Sequence, residues 1–235
     1  MNPVKASILA ALVCAIFAGP VSAATNYTAT VSGKFAASDG RPNNATADFA
    51  FNNTFTSLSL TLANTAAVGQ LGGISSVLDG IKFSFSGASL SAFSLSSLSA
   101  PNGTVNCSTG TCSFNGAAVA SLSGWTYNST TGLLSAGNGS FKAHGIVNNN
   151  VTATDGITNS QHNPYFNGPV TFDFAVANAS HAPLALTSAT LYFGTAPDTQ
   201  IATITPVPEP DVYALMLAGM GVVGFVARRR KPIGA

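Results

Sequence analysis

Charge is what this chain has least of. Of its 235 residues only 7% are Asp, Glu, Lys or Arg, and the net charge is +1. Between residues 24 and 206 the basic residues are Lys34, Arg41, Lys82 and Lys142. They are too few and too scattered to neutralise a run of phosphates, which excludes nucleic acid as a partner. No glutamate precedes Glu209, so a paired-carboxylate glycosidase would have to be built from aspartates alone. His144, His162 and His181 stand singly in loop-like sequence and read as ordinary surface histidines. There is no Gly-x-Ser-x-Gly elbow, no His-Glu-x-x-His and no phosphate-cradling glycine loop. The expectation is a protein that is not an enzyme, with no cofactor and no metal. A repeat of fixed length is also missing, which argues against a solenoid or propeller. Solubility therefore falls to Ser, Thr and Asn.

Between residues 24 and 206, what is present is alternation. Tyr27, Ala29 and Val31 alternate with polar residues, as do Ala47, Phe49 and Phe51. Leu58, Leu60 and Leu62, separated by Ser59 and Thr61, form the cleanest half-buried strand. Ile81, Phe83 and Phe85 follow, closed by Gly87, and residues 90–98 are Ser-rich and ambiguous. Further strands are predicted at 119–122, 125–127, 172–176, 184–186 and 191–193. A turn is predicted at Asp39-Gly40-Arg41-Pro42, and a rigid aromatic turn over 164–169. Many short alternating segments with Gly, Asn and Ser between them predict a mostly β chain, an antiparallel β-sandwich of jelly-roll-like type.

The two ends differ from this middle. Lys5 followed by apolar residues 6–18, the break at Gly19-Pro20 and the small residues Val21-Ser22-Ala23 predict a signal peptide over 1–23, removed by signal peptidase. Cys14 lies inside its apolar stretch and would leave with it. At the other end, residues 212–227 carry no charge; these 16 residues would span about 24 Å as a helix, against a hydrocarbon core of about 30 Å. The cations Arg228, Arg229, Arg230 and Lys231 follow at once and place that end in the cytoplasm. One transmembrane helix with its tail is thus predicted over 211–235, an ectodomain over 24–200 and a linker over 201–210. In that linker Pro208 and Pro210 flank Glu209 and keep the segment extended before the inner membrane.

The order Pro208-Glu209-Pro210, short apolar helix and Arg-rich tail resembles the PEP-CTERM sorting signal. Asp211-Val212 stands where small residues are more usual. The resemblance implies export by a Gram-negative, biofilm-forming bacterium and transfer to exosortase, an integral membrane protein proposed to act as a cysteine transpeptidase. It also implies a final place at the cell surface or in the matrix, with exopolysaccharide as a candidate partner.

Within the exported part, Cys107 and Cys112 form a close pair expected to be disulfide-bonded, a staple contributing about 2 kcal/mol at most because the ring is small. Trp125 and Tyr127 point to one face of a strand; they suit either sugar stacking, together with Tyr165, or a core, and the core reading is preferred. The polar stretch of Asn148, Asn149, Asn150, Asp155, Asn159 and Asn163 offers oxygens for calcium, although a solvated Asx-rich loop is the preferred reading. The ectodomain is accordingly expected to be structural, the alternative being a carbohydrate- or calcium-binding module at the envelope.

Overall fold

The computed structural model describes residues 26–31, 43–122, 124–137, 143–154, 156–194, 201–204, 207–208 and 219–221. In chain order its strands are β1 (Asn26–Val31), β2 (Ala45–Phe51), β3 (Ser57–Asn64), β4 (Leu78–Ser86), β5 (Phe93–Ser99), β6 (Thr104–Ser108), β7 (Thr111–Asn115), β8 (Trp125–Asn128), β9 (Leu133–Ala136), β10 (Ile146–Val147), β11 (Tyr165–Asn167), β12 (Val170–Val176), β13 (Ala185–Phe193), β14 (Ile201–Ile204) and β15 (Val207–Pro208). They make two sheets. One has the order β15-β1-β2-β3-β12-β5. The other runs β14-β13-β4-β10-β11-β6-β7, with β9 paired to β4 and β8 paired to β9.

Alternation in sequence becomes alternation of burial. β2 buries Ala45, Ala47, Phe49 and Phe51 while Asp48 and Ala50 face solvent. β3 buries Leu58, Leu60 and Leu62, and β12 buries Phe172 and Phe174. From the other sheet, β4 turns Ile81, Phe83 and Phe85 inward. The two inner faces meet through rings: Phe49 lies edge-on to Phe83 and Phe85, both at 5.7 Å, and Phe174 lies edge-on to Phe83 at 5.7 Å. Offset and edge-on aromatic pairs of this kind add specificity to the burial that holds such layers together. The outward face of the first sheet is hydroxyl-rich: Ser59 and Ser97 both donate to the Asp173 carboxylate, and Thr61 pairs with Thr171 at 3.0 Å.

Several expectations are corrected. The strands predicted at 184–186 and 191–193 are one strand, β13, which begins at Ala185. Its register against β4 shifts between Leu186 and Ser188, and that extra residue carries the inward side chains from even to odd positions. The strand predicted over 119–122 reduces to a single bridge between Ala100 and Val119. The aromatic turn over 164–169 contains the strand β11, whose Tyr165 and Phe166 are fully buried. Residues 90–98 resolve into a 3-10 turn, Leu90–Ala92, followed by β5. Among the described strands, pairing is antiparallel except between β10 and β11, which run parallel.

The signal peptide over 1–23 and the turn at residues 39–42 lie outside the described residues. So does the predicted membrane helix, apart from helical residues 219–221. No helix among the described residues is long and apolar enough to cross a membrane.

Candidate functional site

The sorting segment begins on a sheet edge. β14 pairs with β13 on the outer edge of the second sheet, with Ile204 opposite Ala189. The next described residues, 207–208, form β15 at the outer edge of the first sheet. There Val207 stands opposite Thr28 and Pro208 opposite Tyr27 of β1. Proline has no N–H to donate, and an edge strand tolerates this. β1 is held independently on its far side, where all six residues from Asn26 to Val31 pair with β2. Pro208 is thus the described member of the predicted sorting triplet. Glu209, Pro210, Arg228, Arg229, Arg230 and Lys231 lie outside the described residues.

The cysteine pair is a cross-strand staple. β6 and β7 form a hairpin turning at Thr109-Gly110, where Gly110 has φ +84°. Cys107 and Cys112 stand directly opposite each other in it and are disulfide-bonded. β7 is the edge of its sheet and leaves Phe114 half-exposed.

The aromatic residues are spent on the core. Trp125 is buried, its ring 4.7 Å from that of Phe172. Tyr127 stacks on Phe83 at 5.6 Å and meets Phe174 edge-on at 5.2 Å. Tyr165 is fully buried, and its hydroxyl donates to the carbonyl of Ile157 at 2.9 Å. Burial pushes both tyrosine hydroxyls up, that of Tyr127 to about 12. Trp125 and Tyr165 thus lie inside the core, and Tyr127 is part-buried against it.

His144 departs from the surface reading. It is half-buried with φ +69°, its ring 5.0 Å from that of Phe166. Its N–H donates to Pro164 at 2.7 Å and its carbonyl accepts the Trp125 indole at 2.8 Å. Burial pushes its pKa down. Position 124 is glycine for a local reason, since a Cβ there would stand 2.7 Å from His144 Nδ1.

The Asn-rich stretch is an internal brace. Asn148 donates to the carbonyls of Asn64 and Ala66, both at 2.9 Å, and Asn150 donates to Ala66 at 2.9 Å. Asn163 donates to Ile157 and Asn159, and its own oxygen accepts the Cys107 N–H at 2.7 Å. These amides hold loops against strands, the role expected of Asx-rich connections. Among the described residues no group of three or more His, Cys, Asp or Glu could hold a metal. Asp155 lies outside them.

One residue that pattern reading passed over is Asp79. It is fully buried on β4, at a seam on both sides of the strand. On one side the register with β13 shifts between Tyr192 and Phe193; on the other, β4 exchanges β10 at Leu78 for β9 at Gly80. Its Oδ1 has no hydrogen-bond partner among the described residues, and desolvation raises its pKa from 3.8 to about 7. The signal available in sequence was an acid inside an otherwise apolar run.

No curated protein and no solved structure matches this chain. The PEP-CTERM protein-sorting motif matches residues 206–231, the stretch that opens where β15 docks on β1. This chain therefore carries a PEP-CTERM sorting signal, which implies export and exosortase-dependent processing of a membrane-anchored precursor.

Proposed function

We propose that this is a non-enzymatic protein of the cell surface or extracellular matrix, delivered by exosortase and serving there as a structural component beside exopolysaccharide. The observation that carries the reading is the sorting motif at residues 206–231. Support for a structural ectodomain comes from where its polar groups go. The Asn amides brace loops, Trp125 and Tyr165 fill the core, and Tyr127 packs against it. Low charge with a hydroxyl-rich outer face suits a hydrated, sugar-rich surrounding.

The processing step is tested in an exosortase-bearing host by mass spectrometry of the mature C-terminus. Wild type loses its C-terminal helix, whereas Glu209→Ala, which barely changes the energetics of membrane insertion, stays full length and membrane-retained. A wild-type product still ending at Ala235 would leave only an anchored protein.

A second reading, a glycan-binding ectodomain, is favoured by the outward row in which Asp173 gathers Ser59 and Ser97 beside the Thr61–Thr171 pair. A glycan array on the purified ectodomain, with and without calcium, separates the two. Saturable binding to one glycan class supports the second reading, and a blank array supports the first.

A further inference from the structure

We propose that the folded ectodomain shields its own sorting signal: β1 holds Val207 and Pro208 as the outermost strand, and the processing enzyme acts on the released form. This rests on the sorting reading above and adds a gate to it.

An enzyme that reads an extended segment needs that segment's backbone edges, and in the docked state β1 occupies one of them. Reach matters as well. Along the chain, residues 209–211 separate Pro208 from the apolar run that begins at 212, at most about 10 Å. With β15 released and β14 still paired to β13, residues 205–211 span up to about 24 Å. Release thus both frees the edge and moves the folded domain away from the segment to be read.

The dock is built to open. Among the described residues it comprises two residue pairs, and Pro208 cannot donate to it. β1 stays in place when β15 leaves, because its pairing with β2 runs its whole length. Both strands come from the ends of the exported part: Asn26 follows the predicted signal-peptide cleavage point by two or three residues, and Pro208 directly precedes Glu209. The gate is therefore assembled only in a chain whose N-terminal strand has been delivered and folded.

The test locks the dock. Thr28→Cys with Val207→Cys places two thiols at directly opposed positions, and the exported precursor is expected to cross-link them, read by peptide mapping. Thr30→Cys with Val207→Cys, out of register, is expected not to cross-link. In isolated envelopes containing exosortase, the locked chain should be processed at least tenfold more slowly than the same chain after reduction. Independently of cysteine chemistry, Val207→Pro removes the last N–H that β15 can offer and should speed processing at least twofold. Absence of the cross-link between positions 28 and 207 overturns the dock. A locked chain processed as fast as the reduced one, or Val207→Pro processed no faster than wild type, overturns the gate while leaving the sorting reading intact. Failure of wild type itself to be processed overturns the sorting reading instead.

Discussion

The indole N–H of Trp125 donates to the carbonyl of His144 across 2.8 Å, joining β8 to a residue held at φ +69°. That bond connects the hairpin of β8 and β9 to the segment leading into β10, and the Trp125 ring closes over Phe172 from the other sheet. Trp125→Phe should keep most of the apolar burial and leave the His144 carbonyl unmet, costing about 1–3 kcal/mol. Trp125→Ala should cost about 3–5 kcal/mol through the cavity as well. Chemical denaturation of the three proteins gives the order. Equal stability of wild type and Trp125→Phe would show that the bond contributes nothing.

Asp79 should make the fold less stable as pH rises. In the unfolded chain its carboxyl ionises near 3.8 and in the fold near 7, so between those values only the folded state keeps the proton. Its contribution is fully present below 3.8 and is lost as pH climbs toward 7. Asp79→Asn cannot ionise and should gain on wild type across that window, by an amount on the order of 4 kcal/mol above pH 7. His144 works in the opposite sense. Its pKa is lowered in the fold, so its contribution is present above its unfolded value of 6.5 and falls away in acid. Comparing Asp79→Asn with wild type at each pH cancels that second slope. Parallel stability curves for the two proteins would refute the account of Asp79.

The disulfide should matter modestly. Cys107 and Cys112 close a ring of six residues within a hairpin already held by five residue pairs. Replacing both by Ser should cost about 2 kcal/mol or less and leave export intact. Thiol labelling of the exported protein should occur only after reduction; labelling beforehand means that the pair is free.

Gly103 is closed to substitution by the backbone around it. It has φ +73°, and a Cβ there would stand 1.9 Å from the Asn115 carbonyl oxygen, which belongs to the backbone and has no rotamer to yield. Gly103→Ala should destabilise by several kcal/mol, summing left-handed strain and a displaced β6–β7 pairing. Gly110→Ala is the control: its φ is also positive, at +84°, but nothing lies within 4 Å of the added carbon. A melting temperature for Gly103→Ala as high as that of Gly110→Ala would remove the steric part of the explanation.

The sequence by itself determined the fold class and the sorting signal of this protein. Period-two patterning is local, so the inward faces of β2, β3, β4 and β12 could be read from Phe49, Leu60, Phe83 and Phe172 alone. The sorting signal is local too: three elements in fixed order, needing no partner to be recognised. Tertiary structure decided what depends on contacts between distant strands. Whether Trp125 and Tyr127 meet solvent or rings turned on Phe83, Phe172 and Phe174, which lie on other strands. The merging of 185–186 with 191–193 turned on a bulge against β4, about a hundred residues away. The burial of Asp79 arose where three neighbouring strands exchange places, a coincidence invisible along the chain. So too the docking of Pro208 beside Tyr27: the two lie at opposite ends of the exported chain, and only the closing of a sheet edge makes them neighbours.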